Sequence, residues 1–143
     1  MDGTIAYCSE DTDFQIKDGE LVTEWLTMIA GKHGFGIRVV TFIFCSDRFL
    51  LGKNKNLLGH DDLTDVISIP FHEPDQDFLV GDVFVSVDRV KDNSKTLKNN
   101  FVDELHRVMV HGLLHLCGFT DSDQKTKNGM RNAEDLALNL RMF

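Results

Sequence analysis

"FVDELHRVMVHGLLHLCGFTD", residues 101–121, decides how the rest of the chain is read. Phe101, Val102, Leu105, Val108, Met109, Leu113, Leu114, Leu116 and Cys117 recur at helical spacing but cover more than one face. A helix that is apolar nearly all round belongs inside a fold, so this one is expected to be central and buried. Asn100 is placed to cap its start, and Asp103 in the first turn suits the positive end of the helix dipole. Gly118 is where it is expected to stop, in a left-handed residue that glycine adopts cheaply.

The same helix carries His111 and His115. Residues four apart share a face, with Cβ atoms about 6 Å from each other, so two imidazoles at this spacing can chelate one ion. If the chain reverses at Gly118, Asp121 comes back toward the pair from outside the helix. Two histidines and a carboxylate make three protein ligands, the usual complement of a catalytic zinc site with one position left for water. The competing reading is a pair of satisfied core histidines. Asp123 is a rival for the third ligand, and Asp121 is a rival cap for the next helix. Gly112 stands where zinc proteases of the H-E-x-x-H type place a glutamate base. It reads either as room for a bulky phosphate beside the helix or as a tight contact with a sheet. Cys117 reads as a small buried apolar residue. His106 is expected to point away from the pair. His33, His60 and His72 lie in expected loops without ligand spacing, and Glu104 and Glu134 read as solvated helix faces.

Working outward, "TIAYC" (4–8), "GIRVVTFIFCS" (36–46), "TDVISIPF" (64–71) and "LVGDVFVSV" (79–87) are strand-like runs rich in β-branched and aromatic residues. Helical periodicity runs from Gly19 to His33, from Ser46 through Leu58, and from about Lys127 to Arg141. The expected order is β-α-β-α-β-β-α-α. The fold class is therefore α+β, a single domain over residues 1–143. A mixed four-stranded sheet is packed with helices around the buried central helix that carries the histidines. No internal repeat or linker interrupts the chain.

Composition bounds the function. Of 143 residues, 42% are hydrophobic and 27% charged, the profile of a soluble globular domain. The formal net charge of -8 argues against broad electrostatic binding to nucleic acid, though not against a local basic patch. Cys8, Cys45 and Cys117 are an odd, unpaired set, which suits a reducing compartment. No secretory signal or membrane span is evident, so a cytoplasmic protein is expected.

At the residues just described, the chain resembles the YbeY family of bacterial metal-dependent endoribonucleases. "HGLLHLCGFTD" is similar to that family's H-G-x-L-H-L-x-G-y-D-H, matching at His111, Gly112, Leu114, His115, Leu116 and Gly118. "LTDVISIPF" and "GDVFVS" resemble two further family stretches, matching at Thr64, Asp65, Val66 and Ser68, and at Gly81, Asp82 and Ser86. The chain departs from the pattern at two places. Asp121 stands where the family most often has a third histidine. Leu58 stands where it usually has an arginine facing the cleft, and Lys53 or Lys55 is the nearest substitute for substrate binding.

The resemblance implies one divalent ion per chain, zinc above all, held by His111, His115 and Asp121. It implies cleavage of single-stranded rRNA in ribosome maturation and quality control, at the 3′ end of 16S rRNA. The implied partner is the small ribosomal subunit or one of its proteins, with no membrane and no DNA. No general base stands in the motif, so a water activated by the metal is the expected nucleophile or proton acceptor. Asp65 and Asp82 are candidates for the base if the strands carry them to the cleft. The alternatives are a zinc metalloprotease with an aspartate third ligand, and a non-catalytic ribosome-binding module with a structural metal.

Overall fold

A computed structural model describes residues 3–54 and 64–143. The described residues form four strands and five helices: β1 (Thr4–Glu10), α1 (Gly19–Lys32), β2 (Gly36–Cys45), α2 (Asp47–Lys53), β3 (Val66–Pro70), β4 (Phe78–Ser86), α3 (Val87–Leu97), α4 (Phe101–Leu116) and α5 (Gln124–Asn139). The strands make one sheet in the order β1-β2-β4-β3. β1, β2 and β4 are parallel, and β3 runs antiparallel to β4. The α+β class and the mixed four-stranded sheet are those expected from the sequence.

One element was not anticipated. α3 follows β4 directly, in a stretch without a pronounced apolar pattern in the sequence. The Ser86 side chain accepts from the Arg89 backbone N–H and starts this helix. Only Val87, Val90 and Ser94 are buried along it, so its apolar face is too narrow to stand out by periodicity. α2 begins at the expected cap, Ser46, and is assigned through Lys53, with Asn54 as its C-cap. The rest of the helix expected through Leu58 lies outside the described residues, as do Lys55 and His60.

α4 is the centre of the molecule. It touches β3, β4, α1, α3 and α5, and Leu105, Val108, Met109, Val110, Leu113, Leu114 and Leu116 are all buried. Its packing face meets Val83, Val85 and Leu79 of β4, while α1 and α5 cover its flanks. The Trp25 indole N–H donates to the Ala137 carbonyl at 2.8 Å, which ties α1 to α5 inside this core. The opposite face of the sheet carries a smaller cluster of Ile43, Cys45, Leu50, Ile67 and Phe84.

Gly112 lies where α4 crosses the sheet. A Cβ there would stand 2.4 Å from Val83 Cγ1 and 3.0 Å from Val66 Cγ2. The Ser68 hydroxyl donates to the Gly112 carbonyl at 2.8 Å. Of the two readings of this glycine, close helix–sheet approach is the one realised. Burial of α4 therefore depends on the lack of a side chain at this position.

Candidate metal centre

The end of α4 builds the site. Gly118 has φ of +98°, the left-handed conformation expected of it. Its backbone N–H donates to the His115 carbonyl, and the Phe119 N–H donates to the Leu114 carbonyl, both at 3.0 Å. These two bonds satisfy the last helix carbonyls and reverse the chain. Asp121 returns beside the two histidines. Asp123 does not: its side chain accepts from the Thr126 backbone N–H and forms a capping box with Thr126 at the start of α5. The rivalry for the α5 cap thus falls to Asp123.

His111, His115 and Asp121 each offer a ligand atom, and those atoms lie within 4.8 Å of one another. The two Nε2 atoms are 3.0 Å apart. Asp121 Oδ2 is 3.4 Å from Nε2 of His111 and 3.7 Å from Nε2 of His115. Three ligands at zinc bond lengths on a tetrahedron stand about 3.3 Å from each other, so the triangle has the size such an ion requires.

The orientation of both rings is fixed from behind. His111 Nδ1 donates to Glu134 Oε2 at 2.7 Å, and His115 Nδ1 donates to the Phe119 carbonyl at 3.0 Å. With both Nδ1 atoms protonated, both Nε2 lone pairs face the common point. At 3.0 Å the two Nε2 atoms repel unless a proton or a metal cation lies between them. Two imidazole nitrogens and a carboxylate oxygen form the donor set that suits zinc. The residues fit the ion that the sequence implies.

Electrostatics divide the pair. Burial lowers the pKa of His111, but the Glu134 hydrogen bond and charge outweigh it and hold the ring above its ordinary value. Burial, and then the His111 charge, hold His115 below its ordinary value. Glu134 and Glu104, expected on solvated faces, are buried at 5% and 4% exposure. Glu134 is held in turn by Arg107, whose Nη1 donates to Oε1 at 2.9 Å while Nη2 donates to Asp135 at 2.7 Å. Glu104 accepts from the Asn99 side chain at 3.2 Å.

Asp65, the residue just ahead of β3, joins His111 and Asp121 in the same cleft. Its Oδ2 accepts from the Asn93 side chain at 3.1 Å, and burial raises its carboxyl above the usual range, against the pull of His111. Asp82 is not there. Its neighbours Gly81 and Val83 point at α4, so strand alternation turns Asp82 to the other face, within electrostatic reach of Lys53. Lys53 is on that face too, with its ammonium 5.5 Å from the ring centroids of Phe49 and Phe84.

The remaining candidates have structural work. His106 is buried under Trp25 and accepts from Arg141. His72 Nε2 donates to the Leu116 carbonyl at 3.1 Å, and its Nδ1 accepts from the Val80 N–H at 3.1 Å. His33 meets Phe119 edge to face. Cys117 packs against the main core, and burial pushes its thiol up to about 12.

The sequence profile of the family described as Endoribonuclease YbeY matches residues 5–141. The chain belongs to this family. Among its relatives is the Endoribonuclease YbeY of Cytophaga hutchinsonii, 44% identical over 140 residues, which are 98% of this chain and 97% of that protein. The Endoribonuclease YbeY of Bacteroides thetaiotaomicron is 39% identical over 119 residues, 83% of this chain and 85% of that one. The solution structure of TM1509 from Thermotoga maritima superposes with a TM-score of 0.65 at 27% identity, covering 95% of this chain and 87% of that one. A YbeY assignment leaves the protease alternative without support. Gly112, where a protease has its glutamate, has no space for a side chain.

Proposed function

We propose that this YbeY protein is a metal-dependent, single-strand-specific endoribonuclease of rRNA maturation and ribosome quality control. Its expected target is the 3′ end of 16S rRNA on the small ribosomal subunit, in the cytoplasm. The observation that carries the reading is the convergence of the His111, His115 and Asp121 ligand atoms beside a cleft, in a member of the YbeY family. One zinc ion per chain is the proposed cofactor. Held there, it supplies Lewis-acid stabilisation of charge on a phosphodiester and lowers the pKa of a water.

The chain's own residues do the rest. Glu134 and the Phe119 carbonyl keep both imidazoles in the tautomer that presents Nε2. Asp65 holds Oδ2 against Asn93, which leaves Oδ1 to take a proton from the attacking oxygen. Among the described residues no helix is long and apolar enough to cross a membrane.

The test is cleavage of a single-stranded 16S rRNA fragment by the purified protein, with chelator and with zinc restored. Chelator-sensitive cleavage that zinc rescues supports the reading. Binding to small subunits with no cleavage of any RNA by the zinc-loaded protein would replace it with the non-catalytic module.

A further inference from the structure

Lys53 and Lys55 are the basic residues that the sequence offered for substrate binding, and Lys53 lies across the sheet from the metal group. Other cations line the metal cleft itself. α5 contributes Lys127 and Arg131, and α4 contributes Arg107, to a cleft of about 280 Å³ that also contains His111 and Asp121. Arg107 is committed to Glu134 and Asp135. Lys127 and Arg131 are exposed, and neither forms an ion pair among the described residues. They are four apart on one helix, so both point the same way, about 6 Å apart along the axis. That step is comparable to the one between neighbouring phosphates of an extended strand.

The charge balance of the cleft adds a condition. Arg107, Lys127 and Arg131 face four carboxylates, Asp65, Glu104, Asp121 and Glu134. With His111 neutral and no metal ion, the cleft is net negative by one charge and repels a polyanion. A divalent ion at His111, His115 and Asp121 reverses the sign. In a chain of net charge -8, a cleft whose sign depends on its ion binds RNA more tightly when the ion is bound.

We infer that Lys127 and Arg131 form a phosphate clamp on α5, which holds the single-stranded RNA backbone beside the scissile phosphodiester once the metal has bound. This rests on the endoribonuclease reading. The clamp contacts backbone and not bases, so it contributes affinity and register without sequence preference. A roomier cavity of about 500 Å³, lined by Phe14, Phe101, His106 and Arg141, lies elsewhere and carries no comparable group of unpaired cations.

The experiment measures fluorescence anisotropy of a labelled single-stranded oligoribonucleotide against zinc-loaded protein over a salt series. The proteins are wild type, Lys127→Ala/Arg131→Ala, and the charge-matched control Lys91→Ala/Lys95→Ala on α3. The clamp variant is expected to keep its zinc and to bind RNA on the order of tenfold more weakly. The slope of log affinity against log salt should fall by about 1.4, roughly 0.7 per lost phosphate contact on a single strand. In cleavage, KM should rise while kcat stays close to wild type. The wild type without zinc should bind more weakly than with it. Affinity and salt slope in the clamp variant equal to those of the control would overturn the clamp while leaving the nuclease reading intact. RNA binding that weakens as expected, with no cleavage by any zinc-loaded form, would leave the clamp standing and sink the nuclease reading.

Discussion

The Glu134 carboxylate accepts a hydrogen bond from His111 Nδ1 at 2.7 Å, across 23 residues of sequence and from a different helix. A buried carboxylate behind a ligating imidazole fixes the ring and raises its basicity. Glu134→Gln keeps an acceptor of the same shape but removes the charge. Zinc affinity measured by chelator competition should fall about 10- to 100-fold in Glu134→Ala, and less in Glu134→Gln. Equal affinity in all three proteins would mean that the contact has no bearing on the ion.

The ligand set itself is checked by metal content. His111→Ala and His115→Ala should each lose bound zinc. Asp121→His should retain it, since imidazole replaces carboxylate at the same point. Asp123→Ala should keep its zinc but melt at a lower temperature, because that residue caps α5. Loss of zinc in Asp123→Ala with retention in Asp121→Ala would exchange their roles.

At Gly118 the backbone requires a positive φ of +98° and nothing crowds a Cβ. Conformation alone therefore sets the cost of a substitution. Gly118→Val should lose roughly 1 kcal/mol or more of stability. It should also weaken zinc binding, because the turn that it strains delivers Asp121. Calorimetry with zinc titration reads both effects, and normal zinc affinity would show that the turn tolerates the side chain.

Gly112 behaves differently, because space limits it. Gly112→Ala places a Cβ into Val83 and Val66 and should cost about 1–3 kcal/mol by overpacking. For Gly112→Glu the same packing predicts loss of the fold, with no gain of peptidase activity. Denaturant midpoints for the alanine variant, together with a casein assay, test this. A wild-type midpoint would show that α4 can move off the sheet without cost.

His106 gives a pH dependence. Burial, and then the Arg141 charge, push its pKa from 6.5 down to about 4, against weaker opposing pulls from Asp103 and Asp18. The unfolded chain therefore binds the extra proton first as pH falls. The contribution of neutral His106 is fully present above pH about 6.5 and is lost as pH drops toward about 4. Denaturant midpoints of chelated wild type should fall over this window more steeply than those of His106→Gln, and parallel curves would refute it.

Much of this was legible because the signals were local. The i,i+4 histidines, the stop at Gly118 and the return of Asp121 all lie within one short stretch, and strand and helix periods fixed the order of most elements. The burial of Glu134 was also encoded: it falls between Met130, Ala133 and Ala137 on the inward face of α5. Its residue type argued for solvent and misled the reading, because its partners His111 and Arg107 are distant in sequence. Glu104 repeats the pattern between Phe101 and Val108. Which side of the sheet Asp82 would face depends on how β4 meets the central helix, which periodicity within a strand does not set. The sides on which Lys53 at the end of α2 and Asp65 ahead of β3 fall follow from the same packing.

The reversal at Gly118 makes the ligand set a product of one helical hairpin. His111, His115, Asp121 and the carboxylate behind His111 all come from α4, α5 and the turn between them. Closing so short a stretch of chain costs little entropy compared with assembling a parallel sheet. A partly unfolded chain that keeps this hairpin would keep the ligand group, and zinc bound there would stabilise both sides of the unfolding equilibrium. The rise in melting temperature on adding zinc is then expected to fall short of what its affinity for the native protein alone would give.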